Sequence, residues 1–155
     1  MLPMRGPSLL DDAFEQFPDA DDQLVTDAVR AWFRPDCDAV RGRKTWQDVL
    51  LDAGLSRDGL QCFDLLMGEW SIAARRPLDV RCRCSSELSY DETQLLQVLA
   101  HFQSHDIVSA RSLLNAWFSS GEIVSLSHIA HCFAMTLFDV GVPLRNRERR
   151  VTYLQ

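Results

Sequence analysis

The sequence lacks any run of about 18 uncharged apolar residues, so it predicts no ordinary transmembrane helix. It also lacks the basic region and uninterrupted apolar stretch of a secretory signal. Asp11, Asp12 and Glu15 interrupt the apolar residues of the segment 1–18. We therefore expect a cytoplasmic protein that has no membrane partner.

Basic residues are too few to favour a polyanionic partner. The formal net charge is -6, and Lys44 is the single lysine. The segment 1–28 holds seven acidic residues against Arg5 alone, so it accounts for the whole net charge. An acidic balance gives no general electrostatic support for nucleic-acid binding, and we do not expect a nucleic-acid partner.

Common catalytic motifs are missing as well. The sequence has no phosphate-cradling glycine loop, no Gly-x-Ser-x-Gly elbow and no His-Glu-x-x-His zinc motif. Asp91 and Glu92 form an acidic pair, but helix capping explains their presence, because they lie at the predicted start of a helix. The sequence therefore favours a non-enzymatic protein.

The residues that are present suit one globular domain. A chain of 155 residues with 46% hydrophobic residues is long enough to bury a core without covalent cross-links. It contains five cysteines, an odd number, and a domain of this size needs no disulfide framework. We interpret these cysteines as thiols in a reducing compartment.

Apolar residues recur at helical spacing along most of the chain. In the first half, capping and breaking residues delimit three helices. Their start and stop signals run from Asp22 to Pro35, from Thr45 (or as early as Asp36) to Gly54, and from Ser56 to Pro77.

The second half contains a predicted helical hairpin. Ser89 and Glu92 form a Ser-x-x-Glu capping box, and Asp106 caps an antiparallel partner helix that runs through Trp117 and ends near Gly121. A last helix is expected to open at Ser125 or Ser127 and to stop at Gly141 and Pro143.

These patterns predict an all-α fold, a single-domain irregular helical bundle of five to six helices with a C-terminal helical hairpin plus one further helix. We expect residues 1–20 to form an acidic N-terminal arm, residues 21–144 the bundle, and residues 145–155 a basic polar tail. Phe14 and Phe17 lie on a short apolar stripe of the arm and are the candidate partner-binding residues.

The strongest candidate for chemistry is Cys82-x-Cys84, on a predicted loop before the helix that starts at Ser89. Nearby arginines and the helix dipole would favour thiolate over thiol, which makes a cysteine reactive or able to bind metal. The arginines are Arg75, Arg76, Arg81 and Arg83.

Zinc is one candidate cofactor for this loop. Additional ligands would come from two pairs at i, i+4 helical spacing, His101 with His105 and His128 with Cys132. The Cys-x-Cys spacing is tighter than in most zinc sites. Inert thiols are the plain alternative, because Cys132 falls on a predicted apolar face and Cys62 near one.

The sequence thus leads to two hypotheses about function. The first is a non-enzymatic helical adaptor or regulatory protein that acts through a protein partner or a homodimer. The alternative is a zinc-binding or redox-responsive thiol regulator that uses Cys82 and Cys84.

Overall fold

The computed structural model describes residues 18–37 and 42–146. Within these ranges it contains six helices and no strand. The helices are α1 (Ala20–Phe33), α2 (Trp46–Asp52), α3 (Arg57–Ala73), α4 (Tyr90–Gln103), α5 (Ile107–Leu114) and α6 (Ser120–Asp139). The predicted all-α bundle is confirmed.

Most helices begin where a side chain caps the first turn. Ser89 Oγ accepts a hydrogen bond from the backbone N–H of Glu92, and Glu92 accepts one from the backbone N–H of Ser89, at 3.0 and 2.9 Å. This confirms the predicted capping box of α4. Thr45, Ser56 and Asp106 cap α2, α3 and α5 as expected.

Two predicted boundaries were wrong, and one alternative is excluded. Helix α2 begins at Trp46, as the Thr45 cap predicts, and not at the alternative start of Asp36. Helix α5 ends at Leu114, before Trp117. Helix α6 begins at Ser120, well before Ser125, so Gly121 lies inside it and does not end α5.

The early start of α6 has a local cause. The backbone N–H of Ser119 donates to Glu122 Oε1 at 3.0 Å, which is half of a Ser-x-x-Glu capping arrangement. The glycine at position 121 is tolerated because the first turn is held by this cap. Gly141, with a φ of +86°, ends the helix region as predicted.

The core lies where α3 and α6 pack together and where α4 packs on α5 and α6, while α1 packs on α2 and α4. Large aromatic side chains fill the centre. Trp70 and Trp117 are fully buried, with an edge-to-face contact at 5.2 Å between ring centroids. Phe63 of α3 contacts Phe133 of α6 at 5.1 Å.

Helix α6 is, by length and composition alone, apolar enough to cross a membrane. Its apolar character has an explanation within the fold, because Phe133, Ala134 and Leu137 are completely buried against the other helices.

Two sequence-based assignments fall largely outside the described residues. They are the arm at 1–20, with Phe14 and Phe17, and the tail at 145–155. The last described part of the chain packs on the bundle. Leu144 is buried, and Arg145 forms an ion pair with Asp22 of α1 at 3.4 Å.

Candidate functional site

The connector between α3 and α4, residues 74–89, carries the Cys-x-Cys motif and is anchored by a buried ion pair. Arg30 of α1 donates two hydrogen bonds to the carboxylate of Glu92 in α4, both at 2.8 Å. The same guanidinium donates to the carbonyls of Ser85 and Glu87 at 2.9 Å. One arginine therefore holds α1, the connector and α4 together.

Glu92 is ionised in this arrangement. Burial by itself raises its pKa, but the hydrogen bonds from Arg30 and from the backbone N–H groups of Ser89 and Arg81 outweigh burial. The net result is a pKa below the usual value for glutamate. Glu92 thus has a dual role, as the cap of α4 and as the counter-ion of Arg30.

A second buried arginine fixes the middle of the Cys-x-Cys motif. Arg83 lies between the two cysteines and is buried. It donates to Asp27 of α1 and to the carbonyl of Lys44, both at 2.8 Å. The cysteine loop is therefore attached to the bundle by a residue within the motif itself.

This anchoring brings three thiols together. A turn in which the backbone N–H of Ser85 donates to the carbonyl of Cys82, at 3.0 Å, folds Cys84 back towards Cys82. The Sγ atom of Cys82 lies 3.1 Å from Sγ of Cys84 and 3.1 Å from Sγ of Cys37. Cys37 follows the end of α1, 45 residues before Cys82 in the chain. We call Cys37, Cys82 and Cys84 the three-thiol cluster.

Cys82 and Cys84 differ in acidity. Hydrogen bonds from the backbone N–H of Cys84 and from the thiols of Cys37 and Cys84, together with the charge of Arg34, lower the pKa of Cys82 to about 7. The pKa of Cys84 is raised, first because its thiol donates to Cys82. At neutral pH the Cys82 sulfur is therefore thiolate in a substantial fraction of molecules, and the neighbouring thiol of Cys84 donates to it.

The source of this acidity differs from the expectation. Arg34 is the arginine that lowers the pKa of Cys82. The four arginines expected to do so have other partners, because carboxylates and carbonyls of the fold bind them. Arg75 binds the carbonyl of Asn115, Arg76 binds Asp91, Arg81 pairs with Glu87, and Arg83 binds Asp27.

The remaining two cysteines form a separate pair. Cys62 of α3 and Cys132 of α6 have their Sγ atoms 2.9 Å apart. Cys132 is exposed and Cys62 is partly buried. The expectation that Cys132 lies on the apolar face was wrong, because the buried residue at this turn is its neighbour Phe133.

The candidate histidine ligands lie in a different environment. His101 is buried in α4, with its Nε2 atom 3.2 Å from Nε2 of Gln97 and its Nδ1 atom 3.7 Å from Asp106. His105 and His128 are exposed. Among the predicted ligands, Cys82 thus lies beside Cys84. Cys132 lies beside Cys62, and His101 lies beside Gln97 and Asp106.

Across residues 18–37 and 42–146, no group of three or more His, Cys, Asp or Glu side chains is arranged to hold a metal ion. Sulfurs around a tetrahedral zinc ion are roughly 3.8 Å apart, given Zn–S bonds of about 2.3 Å. The Sγ atoms of Cys37 and Cys84 lie 3.1 Å from that of Cys82.

A cavity of about 590 Å³ opens beside the connector, between α1 and α2. Its lining includes Arg83 and Ser85, which flank Cys84 in the sequence. Solvent-sized molecules can therefore reach the connector from this side.

Sequence reasoning missed Cys37 and Arg34. Both lie just after the end of α1, and nothing in their local pattern indicates proximity to a loop more than 40 residues away. The one available signal was the presence of a cysteine two residues after a predicted helix stop at Pro35.

Comparisons of this chain with protein-family models, curated proteins and solved structures give no match.

Proposed function

We propose that this protein is a redox-responsive thiol regulator in which Cys82 is the oxidant-reactive residue. One observation carries the proposal. The Cys82 sulfur, whose pKa is about 7, has two further thiols 3.1 Å away. The proposal includes a reducing, cytoplasmic setting, in which the thiols are the resting state.

The chemistry starts at Cys82. Its thiolate attacks one oxygen of hydrogen peroxide, the O–O bond breaks, and the departing hydroxide takes up a proton to leave as water. Cys82 is then a sulfenic acid. The sulfur of Cys37 or Cys84 attacks the Cys82 sulfur, an S–S bond forms, and the sulfenic oxygen leaves as a second water with the thiol proton.

The two resolving thiols would have different structural effects. A Cys37–Cys82 bond links the chain after α1 to the connector, whereas a Cys82–Cys84 bond stays within the connector. The first would restrain the position of α1 relative to the loop that Arg30 and Arg83 already hold. A partner protein can recognise such a change on the surface of the bundle.

The test is disulfide mapping after mild oxidation. The reduced protein is treated with a small excess of hydrogen peroxide, free thiols are alkylated, and the peptides are identified by mass spectrometry. We expect Cys82 in a disulfide with Cys37 or Cys84. Cys82→Ser should abolish both disulfides, and oxidation should then require a much higher peroxide concentration.

Cys84→Ser is the matched control, because it keeps Cys82 and Cys37 and therefore still allows one disulfide. An intact Cys82 thiol under conditions that oxidise Cys62 or Cys132 would overturn the proposal. Stoichiometric zinc in protein purified without a histidine tag would also overturn it, in favour of the metal hypothesis.

An adaptor function through a protein partner or a homodimer is the second candidate. Among the described residues it is favoured by Val108 and Val124, which are 80% and 49% exposed and border a groove between α5 and α6. Sedimentation of the wild-type protein and of Val108→Asp tests the homodimer. A dimer that the variant loses supports it, and a wild-type monomer at all concentrations refutes it.

A further inference from the structure

The second cysteine pair, Cys62 and Cys132, is separate from the three-thiol cluster and has no role in the proposed function. The two residues are 70 positions apart in the chain, on the two helices that pack together in the core. We propose that Cys62 and Cys132 are a covalent modification site, which reacts with small-molecule disulfides such as oxidised glutathione and closes to a disulfide that joins α3 to α6.

The separation of the two helices suits a disulfide. Packed helices usually have axes 8–10 Å apart, and each Cα lies about 2.3 Å from its axis, so facing Cα atoms come within the roughly 4.4–6.8 Å of a disulfide or closer. Helices α3 and α6 are in close contact beside the cysteines, since a Cβ at Gly59 of α3 would lie 2.7 Å from the Cγ2 atom of Thr136 of α6.

The two cysteines are in register on their helices. Gly59 faces Thr136, and one turn further along α3 Cys62 faces Cys132, which is one turn earlier on α6. Residue numbers rise on one helix as they fall on the other, as in an antiparallel pair. The cysteines thus lie one turn from the Gly59–Thr136 contact, and their sulfurs are 2.9 Å apart.

The cysteine pair is accessible from solvent through Cys132. Cys132 is exposed and Cys62 is partly buried beside it. Burial, followed by the hydrogen bond with Cys132, raises the pKa of Cys62 to about 11. The exposed sulfur of Cys132 is therefore the one that an incoming disulfide meets first, and Cys62 remains protonated until the second step.

The reaction is a balanced exchange. The Cys132 thiolate attacks one sulfur of oxidised glutathione, so that a mixed disulfide forms and one glutathione thiolate leaves. The sulfur of Cys62 then attacks Cys132, its proton goes to the departing second glutathione, and the protein disulfide forms. One protein dithiol and one oxidised glutathione give one protein disulfide and two reduced glutathione molecules.

The test uses a full-length protein with Cys37→Ser, Cys82→Ser and Cys84→Ser, in which only this pair remains. The protein is equilibrated with buffers of oxidised and reduced glutathione and then acid-quenched. We expect a mass loss of two hydrogens and a peptide that contains Cys62 linked to Cys132. The oxidised form should also unfold at a higher urea concentration than the reduced form, because the bond closes a long loop in the unfolded chain.

The matched control adds Cys132→Ser to that background, and it should give neither the linked peptide nor the rise in the urea midpoint. Because the three serines alter the connector, the linked peptide is also sought in the wild-type chain. Glutathione retained on Cys132 without a link to Cys62, or a link only between two molecules, would overturn the proposal. The variant lacks the three-thiol cluster, so this result is independent of peroxide sensing at Cys82.

Discussion

At the residue scale, the ion pair between Arg30 and Glu92 is a buried polar interaction that links three parts of the fold. Its side chains are 6% and 1% exposed, so each charge depends on the other for solvation. The pair joins α1, the connector and α4, and it therefore positions the cysteine loop as well as the helices.

Replacement of Glu92 by Gln should be strongly destabilising. The guanidinium of Arg30 would remain buried without its counter-charge, which costs roughly 3–5 kcal/mol in comparable cases. Urea unfolding of Glu92→Gln measures this loss. Glu87→Gln is the control, because Glu87 pairs with Arg81 at an exposed site and at 3.6 Å, and surface pairs contribute about 1 kcal/mol or less. Equal midpoints for the two variants would contradict the assigned role of Glu92.

The lowered pKa of Glu92 also predicts an acid dependence. A carboxyl group whose pKa is lower in the folded state stabilises the protein above its unfolded-state pKa, which is 4.5 here. This contribution is lost as the pH falls through 4.5 towards the folded-state pKa. The wild-type urea midpoint should therefore fall more steeply than that of Glu92→Gln as the pH is lowered below about 4.5.

Single residues also show where sequence reasoning ends. Cys82 and Cys84 were identified from the sequence because they are only two positions apart, so their proximity is visible in the local pattern. Cys37 was missed because its contact with Cys82 exists only after α1 has packed beside the connector. Glu92 was recognised as a cap, but its pairing with Arg30 spans 62 residues and leaves no local pattern.

At the element scale, helix starts were predicted well because caps are local. The errors at the start of α6 and the end of α5 have local causes too. Helix α6 starts at Ser120 because the backbone N–H of Ser119 binds the Glu122 side chain, a signal that was overlooked in favour of the glycine at position 121. Helix α5 ends at Leu114, but the turn residues Trp117 and Phe118 that follow it are also buried. The apolar spacing in the sequence therefore continues to Trp117, beyond the end of the helix.

The α4 cap gives a direct prediction. Ser89→Ala removes the hydroxyl that accepts from the Glu92 backbone and donates to the carbonyl of Asp79. Loss of an N-cap costs about 1 kcal/mol, and the second hydrogen bond adds to it. The urea midpoint measures the loss, and an unchanged midpoint would mean that this cap does not hold the helix.

The close approach of α3 and α6 gives another prediction. Gly59→Ala places a methyl group against the Thr136 side chain, and overpacking of this kind typically costs about 1–3 kcal/mol. The better helix propensity of alanine offsets at most about 1 kcal/mol of this cost. We expect a net loss of thermal stability, measured by calorimetry.

Thr136→Ser in the Gly59→Ala background should restore most of that loss. It removes the obstructing Cγ2 methyl and keeps the hydroxyl that donates to the carbonyl of Cys132 at 2.8 Å. If Gly59→Ala is as stable as the wild type, the two helices are not held as close as the cysteine pair requires.

At the scale of the whole molecule, the acidic start of the chain should be dispensable for folding. Asp19 caps α1, and Asp22 pairs with Arg145, so a truncation has to keep both residues. Deletion of residues 1–17 meets this condition and removes Phe14 and Phe17. We expect nearly unchanged thermal unfolding, together with weaker binding to any partner that the arm recognises. A large loss of stability would instead assign these phenylalanines to the core.

The central claim is that Cys82 is the most reactive thiol of the chain, and the rate of alkylation of each cysteine as a function of pH tests it most directly. Reduced, metal-free protein is pulsed with iodoacetamide from pH 5 to 11, and each cysteine peptide is quantified by mass spectrometry. We expect the Cys82 labelling rate to have its midpoint near pH 7, and the Cys62 labelling rate to be still rising at pH 11, near its pKa. At neutral pH Cys82 should react fastest. Labelling of Cys82 no faster than that of Cys62 and Cys132 would contradict the account.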